Sequence, residues 1–222
     1  MIKKASLMTA LSVTAFSGWA QDSNSDTLVV TANRFQQPVN TVLAPTDIVT
    51  RDDIDRWQSK DLNDVMRRLP GVDIARNGGM GQSASLYVRG TEARHVLVLI
   101  DGVPLRLLQG NADVTLIAPD LVERIEFVKG PASALYGRNA IGGVAQFFMR
   151  PEKEGATVTA TAGSFGRLDG SYRQRFDYAR GNVFIGLAHA ENDGFQKNTE
   201  RRQPATVLGI DHAMSSDWTT GL

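Results

Sequence analysis

The sequence predicts a small α+β domain followed by a run of antiparallel strands, in a chain that is exported. Three observations carry this expectation. A cleavable leader opens the chain. Residues 34–152 alternate helix caps, apolar strands and glycine turns. Residues 153–222 lose nearly all helix signals and switch to alternation with a period of two.

Met1-Ile2-Lys3-Lys4 forms a short positive n-region, and Ala5 to Phe16 is mostly apolar. Ser17-Gly18-Trp19-Ala20 ends with small residues at the −3 and −1 positions, which predicts a signal peptide over residues 1–20 cut after Ala20. A membrane anchor would need a longer apolar run. The mature chain is expected in a bacterial envelope, with 22 basic against 24 acidic residues once Lys3 and Lys4 are lost. Residues 21–33 are polar except for Leu28-Val29-Val30.

In the middle segment, Thr50-Arg51-Asp52-Asp53 reads as a capping box with a shortened acid at N3. Ile54, Trp57, Leu62, Val65 and Leu69 follow approximate helical spacing until Pro70-Gly71, with a break expected at Ser59 or Lys60. His95 to Gly102 (HVLVLIDG) holds a continuous apolar run, as in a strand buried on both faces. Pro119 opens a helical turn running into Glu123, and Arg124 to Lys129 alternates as a strand. Pro131 to Tyr136 reads as a short helix, with Pro in its first turn and Gly137 just past its end.

The last segment has another texture. Leu168, Gly170, Tyr172, Gln174, Phe176 and Tyr178 interleave with Asp169, Ser171, Arg173, Arg175 and Asp177. Thr157, Thr159 and Thr161 alternate with Val158, Ala160 and Ala162, and Asn182 to Ala190 and Ala205 to Ala213 are further candidate strands. Turns are expected at Ser164-Phe165-Gly166 and Ala179-Arg180-Gly181, and Glu191 to Pro204 reads as a polar connection. Strands of about ten residues with alternating faces fit an outer-membrane barrel. They fit a soluble antiparallel sheet equally well.

Composition narrows the chemistry. With 222 residues and no cysteine, disulfide frameworks, thiolate zinc sites, haem thioether attachment and thiol catalysis are out of reach. Balanced charge, 24 basic and 24 acidic side chains, argues against nucleic acid as a partner. Mean hydropathy is −0.20, and no stretch after the leader approaches the roughly 18 apolar residues of a spanning helix. His95, His189 and His212 stand in unrelated segments, and neither HExxH nor GxSxG spacing occurs. Gly130 to Gly143 lacks the Gly-Lys-Ser/Thr that holds a nucleotide phosphate, and Gly78-Gly79-Met80-Gly81 reads as a loop. Glu191-Asn192-Asp193 reads as solvated loop residues rather than a calcium site. The expectation is a protein that is no enzyme and holds no metal or cofactor.

Asp26, Thr27, Leu28, Val29, Val30, Thr31 and Ala32 form a short extended segment that suits β-augmentation by a partner's sheet edge, or an ordinary first strand. This segment resembles the TonB box of TonB-dependent outer-membrane receptors. Arg67 to Val72 (RRLPGV), Val88-Arg89-Gly90, Val98 to Val103 (VLIDGV) and Glu123 to Val144 (ERIEFVKGPASALYGRNAIGGV) resemble the plug motifs of that family, in its order. The whole is most similar to the receptors for cobalamin (vitamin B12).

The resemblance implies an α+β plug domain, a small mixed sheet with short helices, over residues 34–152. The first antiparallel strands of an outer-membrane β-barrel, truncated here, follow over residues 153–222. It implies active transport of cobalamin across the outer membrane, with TonB adding a strand at residues 26–32. Outer-membrane lipid is the remaining partner. Ligand contacts are implied on the plug loops, at Asn77, Gln82 and Ser83 and at Leu105, Gln109 and Gly110. Ser83 stands where the family carries a larger apolar residue, and the second loop (LRLLQGNAD) is shorter, so a siderophore receptor on the same scaffold is the alternative. A soluble periplasmic plug-like binding module is a third. Arg89 and Arg124 are expected to face the polar lumen or to pair within the plug. Residues 153–222 supply four or five strands against the about eight of the smallest membrane barrels, so this chain is expected to specify the gate and not the pore.

Overall fold

The computed structural model describes residues 29–30, 37–38, 44–59, 61–79, 81–105, 113–195, 197, 199–215 and 218–221. The expected leader and its cleavage site lie outside them. Strands β1 (Val29–Val30) and β2 (Gln37–Pro38) pair antiparallel. The N-terminal domain then runs β3 (Thr46–Val49), α1 (Arg51–Trp57), α2 (Leu62–Met66), β4 (Val72–Arg76) and β5 (Ala84–Val88). It continues through β6 (Val96–Ile100), β7 (Val103–Pro104), β8 (Arg124–Lys129), α3 (Ser133–Tyr136) and β9 (Gly143–Phe148). Its main sheet has the order β3-β8-β9-β6-β7, and β4 and β5 form a separate hairpin. The β6–β9 pair is parallel and the others antiparallel, so the sheet is mixed.

Local chemistry sets these boundaries. The capping box forms at Thr50: its hydroxyl accepts from the Asp53 amide at 3.3 Å, and the Thr50 amide donates to the Asp53 carboxylate at 3.1 Å. The Thr50 hydroxyl also donates to that carboxylate at 2.7 Å, and this bond, with the one from the Thr50 amide, holds the Asp53 carboxyl below the usual carboxylate range. Gln58 then turns left-handed at φ 45°, and Asp61 caps α2 by accepting from the Asp64 amide at 3.0 Å, so the helical run breaks between these two residues. Asp101 and Gly102 both have positive φ, which is the two-residue turn an Asp-Gly pair favours between β6 and β7. The helix expected from Pro131 is shorter than predicted. It begins at Ser133 and ends at Tyr136, with Gly137 as its cap.

Strand β6 is apolar throughout because both its faces are covered. Val96 and Val98 join the main core, where Ile125, Phe127 and Phe147 of the sheet meet Ile54, Leu62, Val65 and Met66 of the helices. Leu97 and Leu99 face a second cluster with Val128, Val144, Ala132 and Ala140. Burial of this kind stabilises by about 1.5–3 kcal/mol per large apolar side chain.

The C-terminal residues form a five-stranded antiparallel meander in chain order: β10 (Gly155–Ala162), β11 (Leu168–Tyr178), β12 (Gly181–Asn192), β13 (Arg201–Ser215) and β14 (Trp218–Gly221). Strands β12 and β13 extend into the polar stretch that the sequence suggested was wholly connection. Pro204 is accommodated within β13 opposite His189, on a stretch whose other edge is unpaired among the described residues.

The two faces of the meander differ in a way that decides its character. Val158, Tyr172 and Leu187 lie in register on one side, as do Phe176, Val183 and Ile210. That side carries the exposed apolar side chains, led by Val158 at 74% and Leu208 at 66% exposure. The opposite side, with Ser171, Arg173, Phe184 and Gly186, turns towards the N-terminal domain, and Ala188, Ala205 and Val207 pack against its core. A soluble sheet buries its apolar face and wets its polar one. Here the arrangement is reversed, as in a wall whose outer face meets lipid.

Candidate functional site

The inner face of the meander is tied to the N-terminal domain by polar contacts. Arg173 pairs with Glu123 at 2.9 Å, both largely buried, and Arg175 donates to the Pro151 carbonyl at 2.7 Å. Arg150 pairs with Asp211 and lies over the Phe184 ring, 5.6 Å from its centroid. Gln203 donates to the Leu116 carbonyl at 2.7 Å. Gly186 permits a close approach, since a Cβ there would stand 3.1 Å from Leu121 Cδ2. Asp120 lies in this seam. Burial pushes its carboxyl above the usual range, against the pull of Arg51, Ser171 and Arg173. Asp101, whose carboxylate accepts from the Met149 amide at 3.1 Å, is likewise pushed up by burial. A mixed polar and apolar cleft of about 700 Å³ remains between α1, the Pro119–Leu121 turn and the inner faces of β10 to β13.

The β4–β5 hairpin tip brings together three residues expected to meet ligand. Asn77, Gln82 and Ser83 are all exposed. The Asn77 amide donates to the Ser83 carbonyl at 3.1 Å and its side-chain nitrogen to Ser83 Oγ at 3.0 Å. Below them Arg76 binds both carboxylate oxygens of Asp61, at 2.9 and 2.7 Å. The tip lies against two residues of the wall, Phe195 facing Gly79 and Arg201 facing Gly81. Leu105 is placed differently: it packs partly buried against the main core. Gln109 and Gly110 lie outside the described residues.

The connections at 163–167 and 193–200 share one end of the meander, and the two-residue turn at 179–180 lies at the other. In membrane barrels the longer loops are extracellular and the short turns periplasmic. The hairpin tip lies at the end of the meander that carries the longer connections. Of residues 26–32, Val29 and Val30 are described, paired with Pro38 and Gln37; the other five fall outside.

Residues 38–144 match the family described as "TonB-dependent Receptor Plug Domain". Over that stretch, just under half of its length, the chain is similar to the plug of TonB-dependent receptors. Its fold is shared with the pyoverdine outer-membrane receptor FpvA of Pseudomonas aeruginosa, at a TM-score of 0.73 and 18% identity over 87% of this chain and 29% of that one. The ferric enterobactin receptor PfeA of Pseudomonas aeruginosa matches at 0.59 and 21% identity, over 79% of this chain and 32% of that one. The copper transporter OprC matches at 0.64 and 21% identity, over 78% and 29%. The chain thus spans about a third of the length of these receptors. They support the plug-and-barrel architecture, with receptors of this kind lying in the outer membrane, and do not single out cobalamin.

Arg124 pairs with Glu126 at 3.0 Å and Glu152 at 2.7 Å, within the plug as expected, while Arg89 stands exposed at a left-handed turn. In the polar loop Asn192 accepts from the Gly194 amide at 2.7 Å, and the Asp193 amide donates to the Phe165 carbonyl at 2.8 Å. Sequence reasoning missed Glu123, Phe195, Arg201 and Gln203. Their one available signal was charge or aromaticity at the edges of polar alternation, which does not say what lies opposite.

Proposed function

We propose that the chain is the gate and first wall of a TonB-dependent outer-membrane transporter, which takes up a metal chelate too large for porins. The observation that carries this reading is the reversed meander, apolar outward and polar against the plug. A soluble periplasmic module would have no use for an exposed row such as Val158, Leu208 and Phe176. In this reading residues 34–152 are the plug, residues 153–222 begin the barrel, and no covalent chemistry occurs on the chain. Ligand binds at the exposed tip around Asn77, Gln82 and Ser83. TonB adds a strand at residues 26–32, where backbone hydrogen bonds supply affinity. Pull on that strand then draws on the plug, whose contacts with the wall include polar pairs such as Arg173 with Glu123 that can exchange with water.

The ligand class follows from two supports. Resemblance of the plug motifs favours a corrinoid, and the matching receptors for pyoverdine and enterobactin favour a ferric siderophore. The exposed tip offers neutral amide and hydroxyl groups, which suit the peripheral polar groups of either. Direct binding of cyanocobalamin against ferric pyoverdine and ferric enterobactin, with membrane fractionation of the chain, tests the proposal. Binding of one class by a membrane-fractionated chain supports it. A soluble periplasmic chain would overturn it.

A further inference from the structure

The plug hairpin tip and the 3₁₀ turn Val114–Leu116 are distant in sequence, yet one side chain of the wall reaches both. The stem of Arg201 crosses Gly81, where a Cβ would stand 2.5 Å from Arg201 Cδ and 3.0 Å from Cγ. Its guanidinium donates to the Thr115 carbonyl at 3.1 Å and also bonds the Gln203 side chain. That carbonyl is held still: buried Asp113 accepts from the Thr115 amide at 2.9 Å and from its hydroxyl at 2.6 Å. Earlier in the wall Phe195 covers Gly79, where a Cβ would stand 2.8 Å from the ring.

We infer that Arg201 is a positioning residue: a clasp from the barrel wall that sets the spacing between the plug's hairpin tip and its 113–116 turn, with Phe195 as a second point of contact. The inference deepens the proposed function, because the tip carries the expected ligand contacts. The outer connection between β12 and β13 then cannot leave the plug without releasing the tip, so ligand seated on the tip is felt by that connection.

Hydrogen exchange on the full chain in detergent micelles separates the two arms of the clasp. In Arg201→Ala, the amides of Asn77 and Gln82 and those of Leu116 and Ile117 should exchange about tenfold faster, the effect of losing one net hydrogen bond and its packing. Arg201→Met keeps the stem and loses the donor, so exchange should rise at Leu116 and Ile117 alone. Arg201→Lys keeps both and should stay within about threefold of the parent at both segments. If Arg201→Ala also loosens β8, the Met and Lys variants decide. Rates within about twofold of the parent at both segments in all three variants would overturn the inference, as would Met and Ala acting alike at the tip. Binding of cyanocobalamin and ferric pyoverdine by the parent is measured alongside. Failure of both ligands to bind counts against the uptake reading and leaves the clasp to the exchange data.

Discussion

Substitution of Leu208 by arginine separates a lipid-facing wall from a wet sheet. Leu208 lies at the midpoint of the fifteen-residue β13, opposite Ile185, with 66% of its surface exposed. On a soluble sheet such a change is a surface substitution worth about 0.5 kcal/mol or less. At the midplane of a bilayer, the same arginine costs about 2–4 kcal/mol, because its charge must be drawn out of hydrocarbon. Thr157 is the internal control, since it lies on the opposite face of the meander and Thr157→Arg should change stability by less than about 0.5 kcal/mol. Urea unfolding of the full receptor in lipid vesicles measures both. Equal, small effects at the two positions would refute the assignment of faces.

Other outcomes follow from the same contacts. Arg173→Ala should destabilise the seating of the plug by about 2 kcal/mol, because it strands a largely buried Glu123, and the effect should appear as faster proteolysis of the plug. Thr50→Val should cost about 1 kcal/mol by removing the α1 cap. The depressed Asp53 carboxyl gives stability that is full above its unfolded pKa and is lost as pH falls through the folded one, so this variant should also lose part of the acid-side slope. Asp101 has the opposite sign: its raised carboxyl costs stability as pH rises through the window above the unfolded value. Asp101→Asn keeps an acceptor for the Met149 amide and tolerates the left-handed turn, so it should raise the melting temperature at neutral pH and leave it nearly unchanged at acid pH.

Much of the plug was legible because its signals are local. The Thr50 cap, the doubly buried β6 and the Asp101-Gly102 turn each follow from a few adjacent residues. The strands of the wall were legible as alternation, but alternation is symmetric and does not say which face is inside. That needed the plug's position, with Glu123 and Leu121 against Arg173 and Gly186. Strand ends were missed at Asn192 and Arg201 because polar residues above the apolar band pair through their backbones as well as apolar ones do. Trp218–Gly221 was missed because four residues carry no readable period. At the candidate site, Asn77, Gln82 and Ser83 are clustered by a hairpin that the sequence shows. Arg201 reaches them from 118 residues beyond Ser83, and no local pattern announces such a partner.

The account rests on energy entering through the strand at residues 26–32. The direct measurement is energised uptake of radiolabelled cyanocobalamin and ferric pyoverdine by cells carrying the receptor with Leu28→Pro, beside equilibrium binding of the same ligands. Proline removes a backbone donor and disturbs the strand that TonB would add. The account predicts uptake at the level of cells lacking TonB with binding unchanged. Uptake equal to that of the parent receptor would contradict it.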